Sequence, residues 1–136
     1  MLSGLGKGYL QLLRLKLQHL DIDRNYYALV LIDKLDGSIT QQELAVMLDT
    51  DKVSIVRVID YLSNNGYVLR VRKMEDRRKI NLLLTQKAKL ALPEIKQSFE
   101  EINNIVLNGL NSSQVLELVE TINKIKSNLK ENIQAL

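Results

Sequence analysis

The sequence predicts a mainly α-helical chain that carries one small β-hairpin. Three observations predict it. Hydrophobic residues fill 46% of the 136 positions, aromatics only 4% and charged residues 26%, a composition suited to a helix-rich core of Leu, Ile and Val. Apolar residues recur at steps of three and four along most of the chain, the spacing of amphipathic helices. After Gly66 that period gives way to "YVLRVRK" and "KINLLLT", two β-rich segments separated by polar "MEDRR", the pattern of a hairpin. A chain of this length favours one domain.

The first helix is expected from about Leu5 to Leu20. Leu10, Leu12, Leu13, Leu15, Leu17 and Leu20 are too many apolar positions for one buried stripe. Either two faces are buried, one of them against another chain, or the helix is deeply buried in a monomer. Gly4, Gly6 and Gly8 before it read as a flexible lead-in. Arg14 and Lys16 interrupt the leucines, so no signal peptide is expected. No apolar run approaches the roughly 18 residues that cross a bilayer, which predicts a cytoplasmic protein with no membrane partner. Asp23 is placed to cap a second helix running to about Leu35, with Gly37 as a left-handed stop and Tyr26, Tyr27, Leu29, Val30, Leu31 and Ile32 as its buried surface.

Thr40 followed by Glu43 is a capping box, flanked by Ile39 and Leu44 as a hydrophobic staple. It opens a short helix that ends near Leu48. Another helix follows from Lys52 to Asn65, in which Val53, Val56, Ile59 and Leu62 recur at helical spacing beside Ile55 and Val58. Asn64, Asn65 and Gly66 end it. Two short helices joined by a tight turn form a helix-turn-helix, and the hairpin directly after them makes a winged helix.

Thr85 is placed to cap a long helix whose buried side is marked by Leu90, Ile95, Phe99, Ile102 and Val106, with Pro93 expected to kink or divide it. Residues 108–112 form a turn around Gly109, and Ser112 or Ser113 caps the last helix. That helix carries Val115, Leu118, Ile122, Ile125, Leu129 and Leu136 in steps imitating a coiled-coil seam, with Asn132 polar. Its apolar side either pairs with a second copy or packs on its own domain. The two ends of the chain offer more apolar surface than one small domain needs. Leu10, Leu13, Leu17, Leu118, Ile122, Ile125 and Leu129 are therefore expected in a homodimer interface.

Net charge is only +3. Residues 68–79, however, hold Arg70, Arg72, Lys73, Arg77, Arg78 and Lys79 against Glu75 and Asp76, a local surplus of four positive charges. Such a concentrated field suits docking on double-stranded DNA. In a helix-turn-helix the N-terminal part of the second helix faces base edges in the major groove. Here Lys52 and Arg57 reach phosphates or guanines and Ser54 bonds either way. Val53 or Val56, if exposed, touches a thymine methyl; Val56 is at least as readily core. The wing adds Lys73, Arg77 and Arg78, with arginine favoured in a narrow minor groove. Asp76 is expected to brace an arginine, either Arg78, Arg70 or Arg57. The competing reading of this run is a solvated turn; the alternative function is a winged helix that docks on protein and has no DNA role. No enzyme is expected. The chain has no nucleophile elbow, no glycine-rich phosphate loop and no metal-ligand cluster. With no cysteine and His19 as the single histidine, disulfides and thiolate or multi-histidine zinc sites are excluded, and no cofactor is expected.

Three segments resemble the multiple antibiotic resistance regulator (MarR) family: "ITQQELAVML", "DKVSIVRVIDYLSNNGYVLR" and "KMEDRRKINLLLT". The wing segment, with Asp76-Arg77-Arg78 and Leu84-Thr85, is the most specific. The resemblance implies one MarR-like domain over 1–136, with dimerisation helices at about 1–22 and 86–136 and a DNA-binding lobe at about 23–85. It implies a transcription regulator, usually a repressor, that binds a palindromic operator as a homodimer, with Arg78 as the minor-groove arginine and Asp76 as its brace. Val56 and Ala88 depart from the family pattern, where serine or threonine and glycine are common. Many relatives release DNA when an aromatic anion binds between dimer base and lobe. Tyr26, Tyr27 and His19 are candidate linings, although core packing is the preferred role of each. Constitutive binding and control by a protein partner remain alternatives.

Overall fold

The computed structural model describes residues 1–35 and 37–135. In chain order the elements are α1 (Leu2–Leu17), α2 (Tyr26–Lys34), α3 (Gln41–Met47), α4 (Lys52–Asn64), β1 (Val68–Arg72), β2 (Ile80–Leu84), α5 (Gln86–Val106) and α6 (Ser112–Gln134). The fold is mainly helical with one two-stranded antiparallel hairpin, β1–β2, in the register Val68↔Leu84, Arg70↔Leu82 and Arg72↔Ile80. The chain forms two compact units, one of Met1–Ile102 and one from Asn103 onward. None of the described helices is long and apolar enough to cross a membrane.

The first unit closes around one aliphatic core. Leu13 and Leu17 of α1, Leu29 and Ile32 of α2, Leu44 of α3, Ile55, Ile59 and Leu62 of α4, Val68 and Leu82 of the hairpin, and Leu92, Ile95 and Ile102 of α5 are all buried in it. Leu13 and Leu17 therefore leave the expected dimer set: both are fully covered by their own chain and have no surface for a partner. Leu10 remains exposed. In α5 the inward stripe runs through Ala88, Ala91, Leu92, Ile95, Ser98 and Ile102. Leu90 and Val106, expected inside, are exposed, and Pro93 does not divide the helix.

Local chemistry sets the ends. Thr40 accepts from the Glu43 N–H at 3.1 Å and Glu43 returns to the Thr40 N–H at 3.2 Å, closing the expected capping box. Asp23 does not cap α2. It sits at φ 59° and accepts from Arg14 at 2.8 Å, while α2 starts after Asn25. Gly4, Gly6 and Gly8 lie within α1 rather than in a loose lead-in. Helix α6 is capped by Asn111, not by either serine: Asn111 and Gln114 exchange side chain–backbone bonds at 2.9 Å each. None of the described α6 residues is buried. Leu118, Ile122 and Leu129 are exposed and Ile125 is half-buried, while Leu136 lies outside the described residues.

Gly66 and Gly37 both sit at left-handed φ. Gly66, at φ +80°, ends α4 in a Schellman turn: Tyr67 N–H bonds Leu62 O at 2.8 Å and Gly66 N–H bonds Ser63 O at 3.0 Å. Gly37, at φ +77°, also faces the Leu83 side chain so closely that an added Cβ would collide with it. Gly66→Ala is expected to cost about 1–2 kcal/mol, the strain of a left-handed alanine. Gly37→Ala is expected to cost more, because Leu83 must move as well. Urea unfolding of the two variants checks the order.

The turn after α1 is tied to the foot of the hairpin. Tyr67 Oη donates to Asp21 Oδ1 at 2.6 Å, and Lys87 Nζ lies 3.3 Å from the same oxygen, 2.7 Å from Asn65 O and 4.4 Å above the Tyr67 ring. The Tyr67 hydrogen bond, aided by Lys87, holds the Asp21 carboxyl below the usual range. Burial, reinforced by the Asp21 charge, pushes the Tyr67 phenol up. A lowered carboxyl contributes stability above its unfolded value, about pH 4, and loses it as pH falls; a raised phenol contributes below about pH 10 and loses it as pH rises. The stability difference between the native chain and Tyr67→Phe should thus be level near neutrality and shrink at both extremes. Denaturant titrations across pH measure this, and a difference that stays constant from acid to alkali would contradict the assignment.

Candidate nucleic-acid interface

The turn after α3 places Asp49 at φ 52°; the N–H groups of Asp49 and Thr50 bond Val46 O at 3.1 Å and Ala45 O at 2.9 Å. The turn delivers Asp51, whose carboxylate accepts from the Ser54 N–H at 2.7 Å and caps α4. The hydrogen bonds from Ser54, with Arg57 nearby, hold the Asp51 carboxyl below its usual range. Helix α4 is anchored by one stripe, Ile55, Ile59 and Leu62. Lys52, Val53, Val56 and Arg57 are exposed and Ser54 is half-buried. The sequence spacing that joined Val53 and Val56 to Ile59 and Leu62 does not describe the buried stripe. Val53 is 64% exposed, and Val56, for which core was at least as good a reading, is 40% exposed.

The back of α4 is held by a group the sequence did not single out for this role. Arg70, on β1, places Nη1 2.6 Å from Asp60 Oδ1, donates Nε to Gln41 Oε1 at 2.9 Å and donates Nη2 to Val56 O at 3.3 Å. One guanidinium thus joins β1 to α3 and α4. Gln41, the first residue of α3, is buried and supplies its oxygen to this contact. Ten residues separate Asp60 from Arg70, across a turn and a change of element, so no local pattern signals the pair.

The hairpin tip, residues 73–79, is ordered by its own backbone. Lys73 N–H bonds Lys79 O at 3.3 Å, Lys79 N–H bonds Asp76 O at 3.0 Å, and Arg72 Nη1 bonds Arg77 O at 3.2 Å. Of the three arginines open as partners of Asp76, Arg78 is the one beside it. Asp76 accepts from the Arg78 backbone N–H at 3.0 Å and only distantly, at 3.5 Å, from its Nε. The carboxylate therefore fixes the loop more than the guanidinium, whose side chain is 93% exposed. Among the described residues, Lys52, Lys73 and Arg77 form no ion pair.

An isolated β-bridge, absent from the sequence reading, steadies the hairpin. Thr40 bridges Asn81, and Leu82 N–H bonds Ile39 O at 3.0 Å. Two residues are too few for a periodic signal. The candidate effector residues do not form one site: Tyr26 is core, whereas Tyr27 and His19 are exposed. His19 meets Glu94 at 2.7 Å, and Tyr27 meets Phe99 edge-on at 6.1 Å between ring centres. An open groove of about 420 Å³ is lined by Lys7, Leu10, Gln11, Arg14 and Arg24, and by none of those three.

The MarR family model matches residues 25–80, which span the α2–α4 segment and the hairpin as far as the start of β2. The crystal structure of the transcriptional regulator SlyA is similar over 96% of this chain and 92% of its own, at 20% identity and a TM-score of 0.89. A MarR transcriptional regulator from Methanosarcina mazei Go1 is 26% identical, over 95% of this chain and 93% of its own, with a TM-score of 0.76. A mutant MarR from E. coli, crystallised with operator DNA, is 23% identical, over 91% of this chain and 89% of its own, with a TM-score of 0.81. The family model thus covers the helix-turn-helix and the first strand of the hairpin, and the similar solved structures share the winged-helix fold of this chain.

Proposed function

We propose that this chain is a sequence-specific, DNA-binding transcription regulator. It acts as a homodimer on a palindromic operator, with α4 in the major groove and the wing arginines in the minor groove. The observation that carries the reading is the outer face of α4. Lys52, Val53, Val56 and Arg57 are exposed on a helix fixed from behind, beside a hairpin tip where Arg77 and Arg78 stand free of strong ion pairs. Operator DNA in the similar E. coli MarR crystal supports the same partner here. Repression is the regulatory sign the family resemblance favours, and an aromatic anion is the effector class it favours.

Exposed apolar residues on α1 and α6 support the dimer. Leu10 is exposed on α1; Leu118, Ile122 and Leu129 are exposed on α6, with Ile125 half-buried. A second copy is the proposed cover for each, so α1 and the α5–α6 region form the dimerisation part and residues 23–85 the DNA-binding lobe. Half-sites would then lie one helical turn apart, roughly 34–36 Å.

Selection of bound fragments from genomic DNA, followed by anisotropy titration at two salt concentrations, tests the reading. A recovered palindrome, bound in the nanomolar range with steep salt dependence, is expected. Sedimentation of the free protein should give twice the monomer mass of 15.6 kDa. Equal weak binding to every fragment, or a monomer, counts against it.

Two variants separate contact from positioning. Arg78→Ala should lose about 1–3 kcal/mol of binding; no loss would favour a protein-docking role for the wing. Arg70→Ala should also weaken binding, since α4 loses its tie to β1. It should leave the slope of log K against log salt unchanged, because its guanidinium is already engaged inside the lobe and releases no counterion. A slope reduced by about one would instead mark Arg70 as a phosphate contact.

A further inference from the structure

We propose that Val53 and Val56 read thymine methyl groups, so that each half-site carries a thymine whose C5-methyl is buried against this pair. The inference rests on the DNA-binding reading above and adds the chemistry of the base that is read. Val53 and Val56 lie three residues apart in the first two turns of α4, on its exposed side, away from the Ile55–Ile59–Leu62 anchor. Isolated exposed valines need no explanation. These two adjoin each other and are bracketed by Lys52 and Arg57, both exposed. Cations at those places draw the helix toward phosphates, which leaves the valines against the base edges between them.

A valine neither donates nor accepts a hydrogen bond. Against the polar edges of guanine, cytosine or adenine it would desolvate groups without replacing their partners. The one apolar group presented in the major groove is the thymine methyl. The valine side chain is also stiff in a helix, so little rotamer freedom is lost on contact. Neither residue belongs to the buried core of the lobe.

The test uses the full-length protein and its selected target duplex, with each thymidine replaced in turn by deoxyuridine, which removes only the methyl. At one or two positions in each half-site the affinity should fall about fourfold per methyl. That loss should vanish in Val53→Ala or Val56→Ala; both side chains lie outside the buried core, so each variant should keep the fold, which circular dichroism checks. Val56→Thr, of the same shape but with a hydroxyl replacing a methyl, should reduce the methyl discrimination at its position. A duplex with every thymidine replaced, bound as tightly as the parent, would overturn the inference while leaving the DNA-binding reading intact. So would a uracil penalty that persists undiminished in both alanine variants. If the native protein binds no duplex at all, the DNA-binding reading itself fails, and this one with it.

Discussion

Helix α4 has to be held from one side only, and the rest of the first unit is arranged around that constraint. Ile55, Ile59 and Leu62 fasten its inner stripe to the core, each contributing about 1.5–3 kcal/mol of burial. Apolar contact of this kind resists withdrawal but only weakly resists rotation about the helix axis. The Arg70 guanidinium adds direction. It meets a carboxylate, an amide oxygen and a main-chain carbonyl on two different helices, and its planar fork satisfies all three only in one orientation. Asp60 is half exposed, so the ion pair itself adds less than about 1 kcal/mol. The stability comes from the three apolar residues and the orientation from the arginine.

The acidic residues within the basic surface follow the same economy. A carboxylate facing phosphates would oppose docking, yet Asp51 and Asp76 stand at the starts of the two segments proposed to face DNA. Each is turned toward its own backbone: Asp51 caps the Ser54 N–H at 2.7 Å and Asp76 the Arg78 N–H at 3.0 Å. Their charge stabilises the local peptide dipoles, while Lys52, Arg57, Arg77 and Arg78 remain exposed. Main-chain bonds, the Asp76 carboxylate and the Arg72 guanidinium fix the hairpin tip, which leaves the Arg77 and Arg78 side chains exposed.

What was legible in the sequence was whatever is decided within a few residues. Thr40 and Glu43 announce α3 because both partners of the capping box lie within one turn. The alternation in "YVLRVRK" announces β1 because cross-strand burial has a period of two. The cap of α6 was also within reach: Asn111 has Gln114 at the third helical position, whereas Ser112 and Ser113 have Val115 and Leu116, which cannot return the bond. Other features depended on distant partners. Asp23 is diverted from capping by Arg14, and Asp60 is joined to Arg70 across the turn from α4 to β1. In α4 two apolar stripes with helical spacing run side by side, and periodicity cannot say which one the core takes. In α1 the surplus of leucines suggested an interface, but Leu13 and Leu17 turned out to supply the unit's own core. In α5 small residues, Ala88, Ala91 and Ser98, occupy the inner face, where a search for large apolar side chains passes over them.

The proposed dimer is what would make a weak chemical distinction useful. A methyl group contributes about fourfold to affinity, too little to single out one site in a genome offering on the order of 10⁶ or more competitors. Two lobes on one palindrome square that factor, and two valines per lobe raise it again. Linking the lobes also turns the second docking event into an intramolecular one, with an effective concentration set by geometry rather than by the protein in solution. This requires a base that holds the lobes at a fixed spacing. Helix α6 has 23 residues, a complete capping box and none of its described side chains buried, and such a helix gains little stability until its apolar face is covered. If a second copy supplies that cover, the association that orders α6 is the same one that converts a marginal methyl contact into operator recognition.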